Sequence, residues 1–125
     1  MKFPNYFPKD CPPKDASPKE LIVYRVCKNN PITRQDFASY YELGKGNSDV
    51  KHYGVSVFSN SREARVICSM PNHRLEFIAE GKTADECGVI MKTPSHKNSS
   101  HITWWLFENA RPEKHFSPMG ENENE

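Results

Sequence analysis

Short apolar runs separated by polar breaks rich in glycine, proline and asparagine set the rhythm of this chain, and the densest pattern lies near its far end. There Ser99-Ser100-His101-Ile102-Thr103-Trp104-Trp105-Leu106-Phe107 reads as the closing strand of a small domain. Alternation sends His101, Thr103, Trp105 and Phe107 to one face and Ile102, Trp104, Leu106 and Glu108 to the other. An imidazole and a hydroxyl in line with an indole need hydrogen-bond partners or a cleft to line. The opening strand, 21–27, is apolar on both faces, which predicts a central position. Arg25 shares the face of Leu21, Val23 and Cys27, while Tyr24 sits with Ile22 and Val26.

Between these strands the pattern changes period. Thr33 followed by Asp36 predicts a capped helix over 34–43, with Phe37, Tyr40 and Tyr41 on one side. A glycine- and serine-rich loop leads to a short strand at 54–58. Asn60 or Ser61 then caps a two-turn helix over 62–69, stopped by Pro71. A strand over 74–80 alternates Leu75, Phe77 and Ala79 inward, and 88–92 forms another. The predicted fold class is α+β: a small, mostly antiparallel, curved or split sheet of about five strands with two short helices. Five prolines punctuate residues 1–20, an arm made sticky by Phe3, Tyr6 and Phe7. The domain proper is expected over 21–111, with 112–125 a flexible acidic tail.

Composition narrows the function classes. With 17 basic and 16 acidic residues interspersed, no lysine–arginine stripe exists to track a nucleic-acid backbone, so an extended nucleic-acid ligand is not favoured. No apolar run approaches the roughly 20 residues that span a bilayer, and prolines interrupt the N-terminus where a signal peptide would be apolar. No membrane association and a cytoplasmic location are expected. Cys11, Cys27, Cys68 and Cys87 lack metal-ligand spacing and read as reduced thiols, so no metal is expected.

Three groups of residues carry candidate chemistry. Arg25 cannot shed its charge, so it needs a carboxylate such as Asp36 or Glu42, carbonyls, or a ligand phosphate. Ser56, inside Gly54-Val55-Ser56-Val57-Phe58, is a core hydroxyl or a ligand contact; with no base beside it in sequence, it is not read as a nucleophile. His96 and His101, on a polar loop feeding the last strand, are candidates for acid–base work, with His101 equally able to serve as a structural hydrogen-bonding group.

Taken together, Tyr24-Arg25, Phe37, Gly54-Val55-Ser56-Val57-Phe58, Ile78-Ala79-Glu80-Gly81 and Ser100-His101-Ile102-Thr103-Trp104-Trp105 resemble a family of small bacterial proteins, a likeness that brings no function with it. An arginine on the first strand, a serine in the second and an acid late in the sheet also give a partial likeness to ADP-ribosyltransferase-type domains. That likeness implies NAD phosphates held by Arg25, the nicotinamide ribose supported by Ser56, and an acid at Glu108 polarising the ribose. Ser56-Val57-Phe58 departs from the Ser-Thr-Ser run of that class, and no Glu-x-Glu or Gln-x-Glu pair occurs ahead of the acidic tail at 121–125.

Two kinds of function follow. One is a small bacterial accessory or interaction protein, part of a multi-gene defence or toxin–antitoxin system, with no cofactor. Its contact surface for a protein partner would be Tyr24, Thr103, Trp104 and Trp105. The alternative is an NAD- or nucleotide-directed transferase, with Arg25, Ser56, His101 and Glu108 as its catalytic set and NAD as its cofactor, or a small RNA-cleaving toxin, with His101 and either His96 or His115 as base and acid and Arg25 on the scissile phosphate.

Overall fold

In a computed structural model, which describes residues 1–120, the β-branched and aromatic segment Ile22–Cys27 forms β1 at the middle of the sheet. The other strands are β2 (Val55–Phe58), β3 (Phe77–Lys82), β4 (Gly88–Lys92), β5 (His101–Leu106) and β6 (Phe116–Pro118). They are ordered β4-β5-β2-β1-β3-β6, and every neighbouring pair is antiparallel. The architecture is therefore a mixed α/β domain with one open antiparallel sheet. It has six strands where about five were expected, and one α-helix with short 3-10 turns where two helices were expected.

The two sides of β1 are paired differently. Against β3 the ladder runs the full strand, from Ile22↔Lys82 to Cys27↔Phe77. Against β2 the register is fixed at Tyr24↔Phe58, and the Arg25 side chain then bonds the Ser56 carbonyl on β2.

One face of the sheet buries the main core, in which Val23, Phe37, Val57, Ile102, Trp104 and Phe116 pack together. On the other face α1 (Ser61–Cys68) covers Tyr24, Val26, Phe58 and Ile78 through the fully buried Ala64. The Asn60 side chain caps this helix by accepting from the Arg62 N–H at 2.8 Å.

Three sequence expectations are corrected. The helix predicted over 34–43 is a single 3-10 turn, Arg34–Phe37, because Ala38 goes extended (φ −75°, ψ 135°). The Asp36 carboxylate does more than cap: it also accepts the N–H groups of Lys28 and Asn29, which ties the turn to the end of β1. Tyr40 and Tyr41 therefore part company, Tyr40 against His52 and Tyr41 stacked on Tyr6 and Tyr53.

The strand expected over 74–80 begins only at Phe77. The turn Pro71–His73 continues through a Glu76 N–H to His73 carbonyl bond, which leaves Leu75 86% exposed instead of inward.

The tail expected to fray from 112 instead adds β6 to the sheet edge, with Ala79↔Pro118 and Gly81↔Phe116 in register. The Phe116 ring lies where a Cβ on Gly81 would be, so a glycine gap and one aromatic ring dock an otherwise polar segment. The acidic residues 121–125 lie outside the described residues.

The proline-rich arm lies along the domain. Ser17 and Ile90 exchange main-chain hydrogen bonds of 3.0 and 2.8 Å, and the Phe3 ring packs 4.8 Å from that of Phe107.

Candidate functional site

Sheet register brings the candidate polar residues together. β2 and β5 pair with Ser56↔Thr103 and Phe58↔His101, so the side chains of Ser56, His101 and Thr103 share one face. The diagonal contact places Ser56 Oγ 2.8 Å from His101 Nε2. On the far side of β5, Thr93 follows the last residue of β4. Its hydroxyl lies 2.8 Å from His101 Nδ1 and 2.8 Å from Thr103 Oγ1, and its carbonyl oxygen lies 3.1 Å from the same Nδ1. Gly54 keeps this corner tight, since a Cβ there would come within 2.6 Å of Thr103 Cγ2.

These bonds fix the imidazole tautomer. A carbonyl oxygen only accepts, so Nδ1 carries the proton and donates to Thr93. Nε2 is then left with its lone pair, and Ser56 Oγ–H donates to it. Burial lowers the His101 pKa, reinforced by the charge of Lys51 and opposed by the Thr93 carbonyl and Glu63. His101 is therefore neutral at pH 7. Ser56 is exposed between the buried Val55 and Val57, so the hydroxyl faces solvent.

Arg25 closes the gap between β1 and β2. Its Nε donates to the Asp36 carbonyl at 2.8 Å, its Nη1 donates to the Ser56 carbonyl at 2.6 Å, and its guanidinium carbon lies 5.5 Å from the Phe37 ring centre. Neither acid considered from the sequence pairs with it: the Asp36 carboxylate is occupied by Asn29 and Thr33, and Glu42 pairs with Arg34 at 3.7 Å. Burial lowers its pKa, with Cys27 and Asp36 opposing, but a guanidinium stays protonated. The result is a cation held by carbonyls and an aromatic face, with no hydrogen bond made by Nη2 within the described residues.

Arg25, Ser56, Thr93, His101 and Thr103 all line one cleft of about 600 Å³. Its wall adds Lys28, Lys45 and Lys51, while its acids, Asp36 and Glu76, are engaged with the β1 turn and His73. The free charge of the cleft is positive. Tyr40, 56% exposed, stands at its edge. No membrane-spanning helix and no group of three or more metal-ligating side chains occurs among the described residues. Burial pushes the Cys27 thiol up to about 12 and that of Cys87 to about 11, so neither supplies a thiolate at neutral pH.

Other candidates lie elsewhere. Glu108 pairs with Lys2 at 3.5 Å in the arm and does not line the cleft. Tyr24 packs beneath α1, and both Trp104 and Trp105 are fully buried, so the indoles offer no contact surface. Trp105 Nε1 donates to the Val50 carbonyl at 2.9 Å. His96 is exposed on its loop and His115 pairs with Glu86 at 3.3 Å, so neither shares the cleft with His101.

No base stands beside Ser56 in sequence, but strand pairing brings the His101 imidazole to its hydroxyl from 45 residues away. Thr93 and Lys51 were not singled out in the sequence. For Thr93 the one available signal was its place on the same alternating face as Val89 and Met91.

No protein-family model matches the chain, and neither a curated protein nor a solved structure matches it significantly. What the cleft does must be argued from its own chemistry.

Proposed function

We propose that the protein is an enzyme acting on a nucleotide, NAD first among the candidates, whose phosphates are held by Arg25. The observation that carries this reading is a single cleft holding an arginine without a carboxylate partner next to a hydrogen-bonded serine–histidine pair. A guanidinium with spare donors in a lysine-walled cleft suits phosphate oxygens. A volume of about 600 Å³ falls within the usual range for small-molecule sites. The ribose-polarising role that a likeness to ADP-ribosyltransferases implies for Glu108 is left out of this proposal, because Glu108 is outside the cleft. A reducing, cytoplasmic setting belongs to the same proposal, supported by four unpaired cysteines.

Calorimetric titration with NAD, ADP-ribose and AMP, alongside NAD turnover followed by chromatography, tests the reading. Binding that weakens with salt is expected, and Arg25→Ala and Arg25→Lys should both weaken it by about tenfold or more. Nucleotide affinity unchanged in both variants would refute the assignment of Arg25.

An accessory role in a bacterial defence or toxin–antitoxin system has one supporting observation of its own. Val66, Met70 and Leu75 follow one another along α1 and the turn after it, and all are exposed. Loss of co-purification with a neighbouring gene product on Leu75→Glu would support that role.

A further inference from the structure

We infer that Ser56 is a nucleophile, that His101 is its general base, and that Thr93 is the positioning residue that holds the base in the working tautomer. The inference deepens the nucleotide reading and rests on it for its substrate class, a phosphorus centre within a nucleotide. Each requirement for an activated serine is visible. The hydroxyl lies 2.8 Å from an imidazole nitrogen that has a free lone pair. The opposite nitrogen lies 2.8 Å from a hydroxyl and 3.1 Å from a carbonyl, so moving the ring proton to face the serine would forfeit the carbonyl bond and set two lone pairs against each other. Thr93 is itself held by Thr103, which is fully buried. The nucleophile is exposed, its own carbonyl accepts from Arg25 Nη1, and both residues line the same cleft.

The step balances with the groups present. Ser56 Oγ forms a bond to phosphorus and its proton passes to His101 Nε2. The phosphorus–oxygen bond to the leaving portion of the nucleotide breaks, and the departing oxygen takes the proton from His101. Water, or an acceptor hydroxyl, then gives its proton to His101 and attacks the seryl-phosphoryl group; the Oγ–phosphorus bond breaks, and His101 Nε2 returns the proton to Ser56 Oγ as product leaves. Arg25 carries the negative charge that grows on the non-bridging oxygens.

A fluorophosphonate reagent, read by peptide mass spectrometry on the folded full chain, tests this without knowing the natural substrate. Modification is expected at Ser56 in preference to the other serines. His101→Gln should slow it roughly 100-fold or more, and Thr93→Val, which keeps the main-chain carbonyl, by about tenfold. The rate should fall with acid at a midpoint below the ordinary histidine value of 6.5. A merely structural hydrogen bond would give neither the site preference nor the pH profile. Ser56 left unmodified in protein that still binds NAD overturns the nucleophile and leaves the nucleotide reading standing. Modified Ser56 in protein that binds no nucleotide supports the nucleophile and overturns its substrate class.

Discussion

The two faces of β5 follow opposite rules. Ile102, Trp104 and Leu106 point into the main core, where packing decides everything, and Trp104 Nε1 is left with no hydrogen-bond partner among the described residues. His101 and Thr103, one residue out of phase, belong to a chain of hydrogen bonds running from Ser56 through His101 and Thr93 to Thr103. The apolar face tolerates an orphaned donor because the indole contributes far more through the area it buries. On the other face the fully buried Trp105 does bond, to the Val50 carbonyl, and at the His101–Thr103 end the polar groups satisfy one another and orient the ring. Stability and chemistry are thus separated by one step of alternation along a single strand.

That separation is breakable by substitution. Trp104→Ala should destabilise the fold most, by about 3–5 kcal/mol in denaturant unfolding, because it empties the centre of the core. A loss below roughly 1 kcal/mol would mean that the core does not centre on this indole.

Arg25→Met comes next, since it removes the donors of the Asp36 and Ser56 carbonyls. About 1–3 kcal/mol is expected, together with loss of phosphate-bearing ligands. A fully stable variant that still binds them would show that the cation has neither role.

His101 sharpens the contrast through pH. The folded protein holds it below the ordinary 6.5, so the unfolded chain takes up this proton first as the solution is acidified. Its contribution to stability is complete above pH 6.5 and declines as pH falls from there towards the lower folded-state value. Unfolding curves of the parent and His101→Gln should therefore diverge in their pH dependence below 6.5 and run parallel above it.

The smallest effect on stability belongs to Ser56→Ala. An exposed hydroxyl should cost within about 0.5 kcal/mol, while turnover and fluorophosphonate labelling disappear.

Legibility followed the same division. Strands 22–27, 55–58 and 101–106 could be read because short β-branched and aromatic runs bounded by turn residues are written into local residue order. The helix predicted over 34–43 failed because one carboxylate, Asp36, found partners at the end of β1 that local pattern does not register. Segment 112–118 looked disordered because its docking depends on Phe116 meeting Gly81 across the sheet edge. In the site, Arg25, Ser56 and His101 stood out as polar groups on apolar strands. Glu63 points to a subtler limit. Asn60-x-x-Glu63 has the form of a reciprocal helix cap, yet the Glu63 carboxylate accepts from Ser99 and Ser100 and ties the loop before β5 to α1.

Residue order by itself determined the positions of β1, β2, β4 and β5, the apolar character of both faces of β1, and the types of group available for chemistry. Each of these depends on alternation and on side-chain identity, which are properties of neighbours along the chain. Tertiary structure decided which polar groups meet: that Arg25 rests on carbonyls and not on an acid, that Glu108 is outside the cleft, and that the Ser56 hydroxyl bonds an imidazole. A hydrogen bond at 2.8 Å between residues 45 positions apart depends on the pairing of β2 with β5, and that register is set by the burial of Val55, Val57, Ile102 and Trp104 on the opposite face.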